Sequence, residues 1–249
     1  MDKSIKITEE YKIKSCEVSA TNYLKPMILL HFLEDAAYSH AEKYGFGYSS
    51  AYPKGYGWFM LKCHIKLLSL PRAWDKISVT TWATEGRGIQ CRRDFLVHNS
   101  AKEVIAKVAT NWGLVNFETK RLVNPFKTLD FIELFPEYAF ETDFEKIEPV
   151  EKAVYSKEMD VMFDDIDLNQ HVNNSVYIHW ATEAMPFEFL KTHNLTEIEI
   201  YFKREATLGI KILSEADFDE AKNVSIHSIK NRATGEELTA LRLHWEKTT

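Results

Sequence analysis

The chain has 249 residues, of which 45% are hydrophobic and 27% are charged. These values are typical of an ordinary globular protein, and the length fits one large domain or two small ones. The formal net charge of −6 argues against nucleic acid binding as the main function, because a protein that neutralises phosphates needs a basic face.

The cysteines and the apolar segments bear on the cellular compartment. The chain has an odd number of cysteines, Cys16, Cys63 and Cys91, and no two of them have the spacing of metal ligands. Neither a disulfide framework nor a metal site is therefore predicted. The N-terminal residues lack the apolar core of a signal peptide. The longest apolar run, residues 26–33, is shorter than the roughly 20 residues that span a membrane. We expect a cytoplasmic protein that works without a membrane and without a cofactor.

The first half of the chain predicts one long helix followed by antiparallel strands. Apolar residues recur at helical spacing between Pro26 and Tyr44, where Pro26 suits the first turn and Gly45 suits the stop. The period then changes to two, which is typical of strands. The predicted strands are 59–67, 76–82, 90–97 and 104–114.

The second half repeats this order after a segment without a clear period. Residues 126–152 contain two prolines and predict a long connection that crosses a surface. A helix is predicted from about Asn173 to about His193. Strands are predicted at 197–204, 210–216, 224–230 and 238–245.

This repeat predicts an α+β fold. Each half is predicted to be a helix lying across an antiparallel sheet, with the two sheets paired edge to edge as an internal pseudo-dimer. The predicted domains are residues 1–130 and 153–249, and residues 131–152 are the predicted linker.

A polar segment just before the second helix predicts chemistry. Asp167, Asn169 and His171 alternate, so in an extended backbone their side chains would share one side. Asn173 or Asn174 can cap the helix that follows, and N–H groups at a helix start can stabilise an oxyanion. A carboxylate, an amide and an imidazole in this place are consistent with acyl transfer. The same residue types also fit a plain helix start, and composition alone favours neither interpretation.

The motif Asp167-x-Asn169-x-His171-Val172-Asn173-Asn174-x-x-Tyr177 resembles the active-site motif of the acyl-acyl-carrier-protein thioesterases of bacteria and plant plastids. The resemblance covers nearly the whole chain. Its other landmarks are Trp82-Ala83-Thr84, Arg93-Asp94-Phe95, Trp112, Lys120-Arg121, Pro125 and Tyr201-Phe202-Lys203-Arg204-Glu205. It implies two tandem hot-dog domains and hydrolysis of fatty acyl thioesters, with Asp167, Asn169, His171 and Glu205 as the catalytic residues.

One departure from the family pattern bears on the mechanism. Many members carry a cysteine after the glutamate, whereas this chain has Ala206. A cysteine nucleophile is therefore unsupported, and the carboxylates are predicted to carry the reaction. Glu205 is predicted to be the general base, while Asp167 positions the water or attacks directly as a nucleophile. Asn169 is predicted to hold the carbonyl or the water, and His171 to orient a carboxylate.

The resemblance also implies a substrate and a partner. The first half lacks a counterpart of the motif at residues 19–24, so it is interpreted as a catalytically silent domain that houses the acyl chain. The predicted substrate contacts are Met27, Leu30, Trp58, Met60, Asn173 and Asn174. The implied partner is acyl carrier protein with its pantetheine-linked acyl chain, and homodimer formation is left open. Because the carrier is acidic, the predicted docking residues are Arg92, Arg93, Lys120, Arg121, Lys203 and Arg204.

Three other functions compete with this interpretation. An acyl-coenzyme A thioesterase would use the same chemistry with a nucleotide in place of the protein carrier. A hot-dog dehydratase acting on 3-hydroxyacyl thioesters would need a helix-borne acid, for which Glu183 is the candidate, but the pairing of Asn169 with Glu205 argues against it. A non-catalytic acyl-thioester sensor would need an output module, which the sequence does not show.

Overall fold

The computed structural model describes residues 5–84, 88–129 and 134–248. The helices in these ranges are α1 (Pro26–Lys43), α2 (Tyr48–Ala51), α3 (Pro125–Thr128), α4 (Asn174–Glu183) and α5 (Phe187–Thr192). The strands are β1 (Ile7–Lys12), β2 (Tyr56–Leu67), β3 (Lys76–Thr84), β4 (Gln90–Asn99), β5 (Val104–Asn116), β6 (Arg121–Val123), β7 (Tyr155–Asp160), β8 (His193–Phe202), β9 (Lys211–Asp219), β10 (Val224–Asn231) and β11 (Glu237–Lys247). None of these helices is long and apolar enough to cross a membrane.

The described strands form one antiparallel sheet with an internal symmetry. Their order is β1-β3-β4-β5-β2-β8-β11-β10-β9-β7, and β6 adds to β5. The second half therefore repeats the first in reverse, and β2 meets β8 at the centre with Ile65 opposite Ile198. This pairing confirms the predicted internal pseudo-dimer and leaves neither half with an open edge at the centre.

The two halves share one hydrophobic core. Leu33 of α1 and Ile178 of α4 belong to the same buried cluster as Ile65 and Ile198 of the central strands. Burial of apolar surface against a common sheet holds the halves together. The predicted boundary between residues 130 and 131 lies outside the described residues, and the boundary at 152 stays a prediction.

The edge strands β1 and β7 were not predicted from the sequence. β1 reads ITEEYK and β7 reads YSKEMD, and most of their side chains are exposed or half-buried. Charged residues on an edge strand discourage pairing with other chains, but they also hide the alternation by which a strand is found. The edge strands of this sheet are therefore the hardest to predict from the sequence.

The second helix is shorter than predicted. α4 ends at Glu183, and α5 begins only at Phe187 after a break at Pro186. Proline has no N–H to donate into a continuing helix and excludes the residue before it from helical geometry. The prediction of one helix to about His193 is wrong for this reason, and β8 already begins at His193.

The connection between the halves was predicted to cross a surface. Its described residues lie on the sheet face opposite the helices, since Arg92 of β4 reaches Phe140 of this segment whereas Arg93 reaches His40 of α1. The N–H of Phe135 donates to the backbone carbonyl of Ala83 at 3.0 Å, so the described part of the segment begins beside β3. Further on, Lys62 of β2 donates to the carbonyl of Phe144 at 3.5 Å. Arg242 of β11 then donates to the carbonyl of Lys146 at 3.2 Å. The segment thus covers strands of both halves.

A buried ion pair fixes this segment to β4. The Asp94 carboxylate accepts two hydrogen bonds of 2.8 Å from the Arg92 guanidinium and one of 3.0 Å from the N–H of Ala139. Arg92 also donates to the carbonyl of Phe140 at 2.6 Å. The Asp94 side chain is 0% exposed, so both charges depend on each other for solvation.

Substitution Asp94→Ala should lower the free energy of unfolding by about 3–5 kcal/mol, because it leaves Arg92 as an uncompensated buried charge. Denaturant unfolding measures this, and Asp143→Ala serves as the matched control. Asp143 is exposed on the same crossing segment, so its loss should stay within about 0.5 kcal/mol. An Asp94→Ala loss below about 1 kcal/mol would contradict the role given to the pair.

Candidate active site

The predicted catalytic segment is a tight turn. The N–H of Asp167 donates to the carbonyl of His171 at 2.8 Å, and the N–H of Gln170 donates to the carbonyl of Asp167 at 3.0 Å. Gln170 has a φ of 64°, which reverses the chain in the left-handed region. The backbone here is therefore a turn and not the extended stretch in which alternate side chains would share one side. Asp167, Asn169 and His171 are gathered by the turn and not by strand alternation.

Asp167 and Asn169 are tied to each other within this turn. One Asp167 carboxylate oxygen accepts from the backbone N–H of Asn169 at 2.7 Å, and the other lies 3.4 Å from its side-chain Nδ2. This is the local side-chain to backbone bond that aspartate commonly makes in turns. The turn therefore holds the carboxylate and the amide side by side.

Asn173 begins α4 directly after the turn. Its side-chain oxygen accepts from the N–H of Ser175 at 2.9 Å, so Asn173 is the cap. Asn174 is the first helical residue. The prediction that one of the two asparagines caps the helix is confirmed. The helix start, with its partly positive N–H groups, directly follows this turn.

The structure brings Glu205 to the same turn. His171 Nε2 lies 3.2 Å from a carboxylate oxygen of Glu205. The backbone after Glu205 is fixed on both sides, since the N–H of Val172 donates to the carbonyl of Ala206 and the N–H of Ala206 donates to the Tyr177 hydroxyl, both at 3.0 Å. Glu205 is therefore held beside His171.

The electrostatics of the pair suit a proton acceptor. Burial raises the pKa of the Glu205 carboxyl; the nearby Asp167 adds to this rise, and His171 opposes it. His171 Nδ1 is buried and has no hydrogen-bond partner among the described residues. When Nε2 donates to Glu205, Nδ1 is the unprotonated acceptor of the ring.

Helix α1 of the first half supplies polar side chains that were missed from the sequence. Glu34 is 4% exposed and accepts from Asn173 Nδ2 at 3.1 Å and from Asn174 Nδ2 at 2.7 Å. His31 forms a hydrogen bond with the Ser175 hydroxyl. Burial raises the pKa of Glu34 to about 7. The only sequence signal was a histidine and a glutamate three residues apart within an apolar helix.

An apolar pocket in the first half opens beside the turn. Asn169 and Tyr38 both belong to its wall. The indole of Trp58 is fixed in this wall by donating to the carbonyl of Phe46 at 2.8 Å. The remaining lining residues are Ala37, Ala41, Gly47, Tyr48, Ala51, Tyr52, Tyr56, Gly57, Cys91, Arg93 and Trp112.

The other predicted substrate contacts lie elsewhere. Met27 lines a different groove, on the side of α4, together with Ile178 and Trp245. Leu30 is 0% exposed and Met60 is 4% exposed, and both belong to the shared core. Of the predicted apolar contacts, the structure therefore places Trp58 in the pocket wall and not Met27, Leu30 or Met60.

The predicted basic docking residues include both buried and exposed side chains. Arg92 and Arg93 are 8% and 6% exposed, which corrects the expectation that they form a docking surface. Arg92 faces the crossing segment, and Arg93 faces the pocket, because neighbouring residues of a strand point to opposite sides. Lys203 pairs with Glu237, and Arg204 pairs with Glu236 at 2.9 Å. Lys120 and Arg121 are exposed, and the Lys120 charge lowers the pKa of Glu205.

Family models match most of the chain. The model described as the acyl-ACP thioesterase N-terminal domain matches residues 4–128. The model described as the acyl-ACP thioesterase C-terminal domain matches residues 148–247. The chain belongs to the acyl-ACP thioesterase family. The predicted resemblance is thereby confirmed.

Curated plant proteins of this family are similar to the chain. Oleoyl-acyl carrier protein thioesterase 2 of Arabidopsis thaliana is 29% identical over 224 residues, which cover 82% of this chain and 61% of the relative. Palmitoyl-acyl carrier protein thioesterase of Gossypium hirsutum is 25% identical over 236 residues, which cover 87% of this chain and 57% of the relative. The chain thus spans about three fifths of the length of these relatives.

Solved structures share the fold over nearly the full length of both chains. An acyl-ACP thioesterase from Bacteroides thetaiotaomicron matches with a TM-score of 0.85 at 20% identity, covering 97% of this chain and 98% of the other. The 12:0-ACP thioesterase from Umbellularia californica matches with a TM-score of 0.86 at 21% identity, covering 98% of each chain. These matches confirm the predicted α+β fold of two tandem hot-dog units.

Proposed function

We propose that this protein hydrolyses fatty acyl-acyl-carrier-protein thioesters to free fatty acid and carrier protein, and so ends fatty acid synthesis. The family supports this reaction class. The observation that carries it is the placement of Asn169, which lies in the catalytic turn beside Asp167 and also in the wall of the apolar pocket. A thioester carbonyl at Asn169 would have its acyl chain in the pocket and the carboxylates within reach.

The proposed reaction begins with a water molecule. Glu205 takes a proton from the water, and the resulting hydroxide adds to the thioester carbonyl carbon. The tetrahedral intermediate then expels the pantetheine thiolate as the carbon–sulfur bond breaks, and the thiolate takes up a proton. His171 orients Glu205 through its Nε2 contact of 3.2 Å. General-base catalysis of this kind raises the reaction rate by roughly 10²–10⁴-fold.

The negative charge that develops on the carbonyl oxygen needs donors. The Asn169 side-chain amide is the proposed donor, because the N–H groups of Ser175 and Val176 at the start of α4 already donate to Asn173. Such a donor is worth about 10²–10³-fold in rate. Asp167, held against Asn169, is proposed to position the attacking water. Its alternative role is direct attack to form an acyl-aspartate anhydride, which water then hydrolyses.

The direct test is thiol release from a panel of acyl-carrier-protein thioesters and matching acyl-coenzyme A thioesters. We expect both kinds of thioester to be hydrolysed with the same catalytic residues. The kcat/KM should be higher for the acyl-carrier-protein thioesters than for the acyl-coenzyme A thioesters. Higher kcat/KM for the coenzyme A substrates would favour the nucleotide alternative. No thiol release from any substrate would overturn the hydrolase proposal.

No observation favours the dehydratase alternative. Its candidate acid, Glu183, forms an ion pair of 2.6 Å with Lys157. Glu183 also lines the groove on the side of α4, not the pocket that contains Asn169. The candidate acid and the Asp167 turn therefore belong to different cavities of the protein.

The acyl chain is proposed to occupy the pocket that Ala41 of α1 helps to line. Ala41→Leu should shorten the preferred chain, because each methylene that no longer fits forfeits about 0.8 kcal/mol, or about fourfold in kcat/KM. A chain-length series of acyl-carrier-protein substrates measures the shift. The matched control is Thr182→Leu, which adds bulk to the other groove and should leave the preference unchanged.

Carrier docking, compartment and assembly remain proposals. We propose that Lys120 and Arg121, both exposed, attract the acidic carrier, so that KM rises with salt. A cytoplasmic location is supported by the cysteines, which are free in the structure. Homodimer formation stays open.

A further inference from the structure

Helix α1 presents one polar stripe to the catalytic segment of the opposite half. His31 contacts Ser175, Glu34 contacts both Asn173 and Asn174, and Tyr38 lines the same pocket as Asn169. The three donors and acceptors of α1 stand at positions i, i+3 and i+7, which lie on one face of a helix. The catalytic turn and the start of α4 therefore rest on α1 along two helical turns.

Glu34 is the buried centre of this stripe. Its carboxylate accepts one hydrogen bond from each asparagine side chain, at 3.1 Å and 2.7 Å. Because Asn173 Nδ2 is committed to Glu34, its other side-chain atom, Oδ1, must face Ser175 and cap α4. The carboxylate thus decides which end of the Asn173 amide caps the helix.

The internal symmetry shows that this arrangement is not required by the fold. The bridge between Val18 and Leu24 corresponds to the bridge between Ile166 and Val172, which makes Lys25 and Pro26 the counterparts of Asn173 and Asn174. The counterpart of Glu34 is Thr182. The Thr182 hydroxyl donates within its own helix, to the carbonyls of Ile178 at 3.1 Å and His179 at 2.9 Å.

The second copy of the same fold therefore folds without a buried carboxylate at this position. Burying a carboxylate is costly unless hydrogen bonds compensate it. A carboxylate is buried at this position only in the copy of the helix that packs against the segment containing Asp167, where the residue is Glu34. A further function at that position accounts for the asymmetry, and packing of the fold does not.

We propose that Glu34 is a positioning residue that fixes the catalytic turn in register with the acyl pocket. This inference rests on the proposed hydrolysis. Glu34 holds the asparagines that follow the turn, while Ala37, Tyr38 and Ala41 of the same helix line the pocket. One rigid helix thereby sets the distance from the carbonyl site to the acyl chain. A misplacement of about 1 Å in such a register costs about 10²-fold in rate.

The first experiment compares Glu34→Gln with the wild type in steady-state hydrolysis of an acyl-carrier-protein substrate. We expect kcat to fall about 10- to 100-fold while KM changes by less than about threefold, because binding is kept and alignment is lost. Thermal unfolding of the variant is measured beside it. The control is Asp35→Asn, the next carboxyl of α1, which is exposed and accepts from the Tyr11 hydroxyl. That control should keep wild-type kcat.

The second experiment tests whether activity is rescued when the carboxylate and the amide exchange places between positions 34 and 174. Asn174→Asp alone places two carboxylates together and should lower kcat more than Glu34→Gln does. In the double variant Glu34→Gln with Asn174→Asp, the new amide donates to the new carboxylate. We expect this double variant to regain at least about tenfold over Asn174→Asp in kcat per folded molecule, with the folded fraction of each variant measured by thermal unfolding, which a recovery of stability alone would not produce.

The outcomes separate the inference from the function on which it rests. If the wild type releases no thiol, the hydrolase proposal fails. If the wild type is active and Glu34→Gln keeps full kcat, the positioning role alone is overturned. The same follows if the loss of kcat matches the unfolded fraction of Glu34→Gln, or if the double variant shows no rescue.

Discussion

Glu205→Gln should lower kcat for acyl-carrier-protein hydrolysis by about 10²–10⁴-fold, with the protein still folded. Glutamine keeps the size of the side chain and a contact with His171, but it cannot take a proton from water. The Glu205 side chain is 43% exposed, and the backbone of the next residue, Ala206, is held by Val172 and Tyr177. The substitution should therefore leave stability within about 1 kcal/mol.

The pH profile of the wild type provides a second readout of the same residue. The base must be ionised to act, so kcat/KM should rise with pH through the pKa of Glu205. Burial and the charge of Asp167 raise that pKa above the ordinary glutamate value. The acidic limb of the profile should accordingly lie above the range of a solvated glutamate, and this limb should vanish in Glu205→Gln.

A matched control and two outcomes complete the test. Glu236→Gln changes an exposed glutamate that pairs with Arg204, the residue before Glu205, and should keep wild-type kcat. Full activity of Glu205→Gln would leave the enzyme class intact and refute the assignment of the base. An unchanged acidic limb in a slow variant would assign that limb to another group.

The sequence was most informative where the candidate functional residues follow one another along the chain. Asp167, Asn169 and His171 are local, and their turn is closed by bonds within five residues. Glu205 has no local link to them. It was identified through the family resemblance, and the structure then placed it 3.2 Å from His171. Proximity through the fold cannot be read from spacing.

Glu34 shows the same limit more strongly. In the sequence it is one charged residue in an amphipathic helix, where solvent exposure is the normal expectation. Its partners, Asn173 and Asn174, belong to the opposite half of the chain. Only the packing of α1 against α4 reveals that the carboxyl is buried.

Arg92 and Arg93 illustrate why charged strand residues were misplaced. Alternation in β4 predicts that one of two neighbours faces the core and the other faces water. Here the second face is covered by the segment that runs through Ala139 and Phe140. A strand covered on both faces buries both neighbours, and the covering segment lies too far along the chain for a local pattern to show it.

Asp167→Asn should lower kcat by at least about 10²-fold, because it removes the carboxylate that positions the water or attacks the carbonyl. Asparagine keeps an oxygen that accepts from the N–H of Asn169, the 2.7 Å bond that shapes the turn. The variant thus removes the charge and preserves the geometry. Asp164→Asn, an exposed change of equal charge in the same segment, is the control and should keep wild-type kcat.

The pH dependence of the residual activity makes this prediction specific. The negative charge of Asp167 contributes to the raised pKa of Glu205. Its removal should move the acidic limb of the Asp167→Asn profile to lower pH, since Glu205 then ionises more readily. If Asp167 were instead a nucleophile, hydroxylamine should trap an acyl-enzyme in the wild type and none in the variant. An acidic limb that stays in place would show that Asp167 and Glu205 do not act on one another, which would contradict a shared water between them.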